Sequence, residues 1–160
     1  MFSSISKSLS EPKWLTLIIV NLATFMAPLD TGIVSLVLPS IARDFKTGIE
    51  IAIWVPVIYL LILTVFMTSF GRYSDINGRK KFFIIGLGIF VVGSFLSGIS
   101  QTIAELLIFR IIQAIGATLL LVNSRAIITD AFPPEERRLA MSIHVTVIYI
   151  AIASGPALGS

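Results

Sequence analysis

The chain has 160 residues, 56% of them hydrophobic and 13% charged, with a formal net charge of +3 and a mean hydropathy of +0.96. Soluble chains carry about 25% charged residues, so this composition excludes a water-soluble domain and leaves an all-α integral membrane protein. With no cysteine there is no disulfide framework, thiolate metal site or thiol nucleophile, and one histidine excludes a multi-histidine metal site.

Residues 1–13 are serine-rich, hold Lys7 and Lys13, and read as a short cytoplasmic tail. The apolar run 14–39 is too long for a signal-peptide core of about 7–15 residues and lacks a small-x-small cleavage site, so it reads as a first spanning helix. Its single charge is Asp30. An ionised carboxylate in hydrocarbon costs at least ~2.5–3.5 kcal/mol, so Asp30 must face a cavity, be paired, be protonated, or cap a neighbouring helix. Pro28 should kink the helix beside it, and Gly32 should weaken it further.

A charge-neutral loop, 40–50, leads to a second span over 51–70. Then comes a polar island of eleven residues, Gly71-Arg72-Tyr73-Ser74-Asp75-Ile76-Asn77-Gly78-Arg79-Lys80-Lys81, expected to form the loop of a two-helix hairpin. The intervals between Gly71, Asp75, Gly78 and Arg79 suit a tight turn with an ion pair. A third span over 82–99 is rich in small residues (Gly86, Gly88, Gly93, Ser94, Ser97, Gly98), which let helix backbones approach closely in lipid.

The fourth span, 104–132, carries Arg110, Arg125 and Asp130, and the segment 133–138 should end it as a proline turn. At 1.5 Å per residue, Asp30 lies ~14 Å below the outer end of its span and Arg110 ~9 Å below the outer end of its own. The two can therefore pair, directly or through water; the alternative for Arg110 is snorkelling to the outer surface. Arg125 should snorkel to the cytoplasmic side. The fifth span begins near Leu139 and is still running at Ser160, so a longer protein is expected. In it Ala151, Gly155 and Gly159 form a small-residue stripe, Pro156 adds a bend, and His144 is assigned no role.

The tail, 71–81 and 133–138 hold eight cations, whereas 40–50 holds two. The excess places the N-terminus in the cytoplasm. Basic residues spread over loops in this way set topology and do not indicate nucleic-acid binding.

The 71–81 segment resembles the loop motif of the major facilitator superfamily, G-x-L-A-D-R-x-G-R-K, with Tyr73 and Ile76 departing from it and Ser74 in place of the small alanine. Residues 29–39 are similar to the first-helix motif of drug:proton antiporters with fourteen spans, L-D-x-T-I-V-N-V-A-L-P, with Gly32 and Ser35 as the main substitutions beside the apolar exchanges at Leu36 and Val37. Leu106, Arg110, Gln113, Gly116 and Ala117 resemble the fourth-helix motif, and Ala151, Gly155, Pro156 and Gly159 the antiporter fifth-helix motif. The resemblance implies the first five helices of a two-halved transporter that exports drugs or other small organic molecules against protons across a prokaryotic plasma membrane. No cofactor is implied; the proton gradient supplies the energy, and the partners are substrate, protons, lipid and the remaining helices. It also implies proton or substrate coupling at Asp30, Arg110 and Gln113, and a cytoplasmic gate of Gly71, Asp75, Gly78, Arg79 and Asp130. The alternatives are a carrier of another solute class, such as organic acids or sugars, and a non-transporting fragment that acts by helix association. An enzyme lacks a catalytic constellation here.

Overall fold

A computed structural model describes residues 12–158. Its elements are α1 (Pro12–Asp44), α2 (Ile49–Ala52), α3 (Trp54–Asn77), α4 (Arg79–Gly98), α5 (Ile103–Ala131) and α6 (Pro134–Leu158), with no strand among the described residues. Counting α2 and α3 together, five stretches are long and apolar enough to cross a bilayer. Large apolar side chains such as Leu22, Ile84, Phe95 and Tyr149 point outward. On a soluble protein such a surface would aggregate; in a bilayer it suits contact with lipid or with further helices.

Helix α5 is the centre, and α1, α3 and α4 all pack on it. The closest contact is with α4. A Cβ at Gly86 would lie 2.6 Å from Leu119, and one at Gly93 would lie 2.7 Å from the Gln113 backbone, so both glycines are needed for this approach. Gly88 and Gly98 face open space and do not belong to that contact. Around it lies a core of Leu17, Val20, Tyr59, Phe90, Leu120 and Ile128. Helices α3 and α4 touch each other little, so the expected hairpin is instead two helices joined in sequence and each docked on α5.

Several boundaries differ from the sequence reading. Of the expected tail 1–13, Pro12 and Lys13 are helical, and the remainder lies outside the described residues. Helix α1 stays helical through Pro28 and Pro39 and ends only at Asp44. Spanning helices tolerate proline because neighbouring groups satisfy the freed backbone, and Arg43 in the last turn favours the helix end. Lys46 then turns the chain at φ 49°.

The predicted loop 71–81 is almost entirely helix. Nothing between Arg72 and Asn77 breaks the backbone pattern, and Ser74 and Asn77 hydrogen-bond the carbonyls of Gly71 and Tyr73. Gly78 alone interrupts it, at φ 104° and ψ 107°. Only glycine adopts that conformation without strain.

Helix α5 starts with a capping box in which Thr102 and Glu105 satisfy each other's backbone N–H groups. Of the expected turn 133–138, residues 134–138 are instead the start of α6. Proline is favoured at the first helical position, where its missing N–H costs nothing, and Glu135 and Glu136 complement the helix N-terminus. Arg137 Nε donates to the carbonyls of Thr129 (2.9 Å) and Phe132 (3.0 Å), which closes the end of α5.

Candidate functional site

Two charged constellations anticipated from the sequence are assembled. In the first, Arg110 Nη1 on α5 donates to Asp30 Oδ2 on α1 at 2.5 Å, across 80 residues of sequence. Their side chains are 9% and 20% exposed, so the pair is withdrawn from solvent and Arg110 does not snorkel. Burial of either charge alone would cost several kcal/mol; together each offsets the other's desolvation. Gln113, one turn further along α5, is fully buried, and neither its amide nitrogen nor its oxygen has a partner among the described residues. Arg110 Nε is likewise buried and unpartnered among the described residues, so polar capacity remains beside the ion pair. Tyr59 lines a cavity of about 400 Å³ with Thr31, Gly32 and Ser35.

The second constellation sits at the Gly78 joint. Arg79 Nε donates to Asp75 Oδ1 at 2.7 Å, and Arg79 Nη1 donates to Asp130 Oδ2 at 2.8 Å. One guanidinium thus ties the end of α3, the start of α4 and the end of α5. Gly78 sets the turn that makes this possible. Gly71 has open space where its side chain would be and lines a cavity near Asp75.

The fifth-helix residues divide. Gly155 is buried against Gly32 of α1, and a Cβ there would sit 2.6 Å from the Gly32 Cα. Gly32 is therefore a point of backbone-to-backbone contact and not a weak spot in its helix. Ala151 is fully buried on the same stripe. Pro156 lies within α6, and Gly159 falls outside the described residues.

His144, assigned no role from the sequence, is fully buried in a polar node joining three helices. Its Nδ1–H donates to Asn21 Oδ1 on α1 at 2.6 Å, and Nε2 lies 3.2 Å from Ser124 Oγ on α5. The Ser124 hydroxyl also reaches the Leu121 carbonyl at 2.9 Å. Position within a spanning segment was the available signal, since a polar ring there must find partners. Lys13 on α1 and Glu136 on α6 form a further bridge at 2.8 Å. Arg125, expected to snorkel, lines the cavity that His144 and Asp75 border.

A helical bundle with a buried carboxylate–guanidinium pair and a charged joint between spans has the build of a membrane transporter. The family model described as Major Facilitator Superfamily matches residues 20–160, and the chain belongs to that superfamily. It is 37% identical over 93% of its length to the riboflavin transporter RibZ of Clostridioides difficile, covering 33% of that protein. It is 38% identical over 87% of its length to multidrug resistance protein 3 of Bacillus subtilis, covering 27% of it. With the tetracenomycin C resistance and export protein of Streptomyces glaucescens it shares 30% identity over 91% of its length, covering 27% of that protein. The chain thus spans about a quarter to a third of the length of these relatives.

Proposed function

We propose that the chain forms the first five helices of a longer proton-coupled exporter of small organic molecules in a prokaryotic plasma membrane, with its N-terminus in the cytoplasm. The observation that carries this reading is the buried Asp30–Arg110 pair. A proton delivered to Asp30 removes its charge and frees Arg110, whereas loss of the proton restores the pair. Two states of one site, set by protonation, are what an antiporter needs in order to alternate. The resistance and export functions named for two of the relatives favour outward movement of substrate. In the same reading, Arg79 with Asp75 and Asp130 latches the cytoplasmic ends of the helices when the transporter opens outward. Gln113 lies one turn from Arg110 and contributes to the coupling site.

The test is gradient-driven transport by the complete protein in reconstituted vesicles. Asp30→Asn mimics the permanently protonated state and should abolish it, while Asp30→Glu should retain part. Unchanged coupled transport by Asp30→Asn would overturn the reading. Orientation is checked with single cysteines at Ile76, which is 82% exposed, and at the exposed Gln101. An impermeant thiol reagent should label Gln101→Cys from outside the cell, and Ile76→Cys only after the membrane is opened.

A further inference from the structure

A cavity of about 590 Å³ opens between α3, α5 and α6, with Pro28 of α1 at its edge. Its walls are helix faces. Thr68, Gly71, Arg72 and Asp75 follow the i, i+3, i+4, i+7 spacing of one side of α3; Leu121, Ser124 and Arg125 do the same on α5, and His144 and Ile148 on α6. Most of the lining surface is apolar, yet two exposed arginines, Arg72 and Arg125, belong to it. Neither has a carboxylate partner among the described residues. Asp75, the one carboxylate in the lining, is already held by Arg79.

The charges do not cancel. Asp75, Arg79 and Asp130 together carry one negative charge, against two positive charges on Arg72 and Arg125. Arginine cannot relieve the excess by losing a proton. His144 cannot supply a negative charge, and its ring is engaged with Asn21 and Ser124. Among the described residues this balance disfavours a cationic ligand. An anion would be met by a planar donor fork suited to bidentate recognition of carboxylate, sulfonate or phosphate.

We infer that Arg72 and Arg125 form an anion-binding subsite in this cavity, which receives the acidic group of an amphiphile whose apolar body lies against Met67, Leu121, Val122 and Ile148. The inference rests on the reading of the chain as part of an exporter and names the substrate class: organic anions rather than lipophilic cations. A volume of this size is within the range of small-molecule sites. The acidic group can come from a transported solute or from the phosphate of an anionic lipid.

The experiment is equilibrium binding to the complete protein in phosphatidylcholine nanodiscs, with three probes that share one ring system. These are naphthalene-1-sulfonate, naphthalene-1-methanol and 1-naphthylmethylammonium. The sulfonate should bind most tightly and the ammonium least. Arg125→Gln should weaken sulfonate binding about tenfold, the loss of charge-assisted hydrogen bonds, and leave the alcohol unchanged. Arg125→Lys should keep the preference for the sulfonate with a smaller loss. Equal affinity for all three probes, preference for the ammonium, or an equal loss for all three in Arg125→Gln would overturn the inference. Repeating the measurement with phosphatidylglycerol in the nanodisc separates the sources. If the lipid displaces sulfonate from the parent protein, and retention of that lipid is lost in Arg125→Gln, the subsite stands with lipid as its occupant. Binding needs no gradient, so this result is independent of the outcome for Asp30→Asn.

Discussion

Asp30–Arg110 and Asp75–Arg79–Asp130 use the same chemistry, a guanidinium on carboxylates at 2.5–2.8 Å, in opposite surroundings. The first pair is 20% and 9% exposed; in the second, Asp75 and Asp130 are 54% and 62% exposed and Arg79 35%. In the interior each charge makes the other tolerable, and removing one leaves its partner stranded, at a cost of about 3–5 kcal/mol. At the exposed joint, water and ions compete for the same groups, and a pair is worth about 0–1 kcal/mol. Identical contacts therefore serve different ends. The buried pair is all-or-none, and the open one is weak enough to make and break within a working cycle.

The largest effect expected from this contrast is on stability. Arg110→Ala should lower the thermal stability of the purified protein sharply, by about 3–5 kcal/mol, because Asp30 remains buried without a counter-charge. Adding Asp30→Asn to Arg110→Ala should recover much of that loss, since no buried charge is then left unpaired. A mild Arg110→Ala phenotype would mean that the interior pair is solvated after all.

A smaller effect separates the two sites by salt. Arg79→Gln should cost no more than about 1 kcal/mol at low ionic strength. The difference from the parent should vanish near 1 M salt, where the screening length is about 3 Å, while the Arg110→Ala defect persists. Equal salt sensitivity at both sites would erase the contrast.

The smallest signal is a coupling. Asp75 and Asp130 share one guanidinium, so the double change Asp75→Asn with Asp130→Asn should be non-additive by about 0.5 kcal/mol or somewhat more. Strict additivity would show that Arg79 holds the two carboxylates independently. Transport assays on the same variants should show a larger fractional effect than the stability assays if the joint works as a latch.

Much of this arrangement was legible because charges inside apolar spans are few. Asp30 and Arg110 were found by depth along two helices, and Asp75, Arg79 and Asp130 by spacing and family resemblance. The helical state of residues 71–77 was not legible from polarity, since a charged helix end and a charged loop have the same composition. His144 was missed because its partners lie 123 and 20 residues away, where no local pattern reaches. Gly32 was misjudged for the same reason. Its use depends on Gly155 of another helix, and a lone glycine does not announce its neighbour.

The contacts between α1 and α6 carry one further consequence. Lys13 meets Glu136, Asn21 meets His144, and Gly32 meets Gly155, each joining residues 123 positions apart. A constant offset means that the two helices run parallel and stay in step, like two staves pegged at three heights over about 28 Å of rise. Sliding one past the other by a single turn would break an ion pair and a buried hydrogen bond, and would drive side chains into the glycine contact. Motion along their common axis is thus blocked at three points together. A rearrangement that keeps all three contacts would tilt or pivot α1 and α6 together.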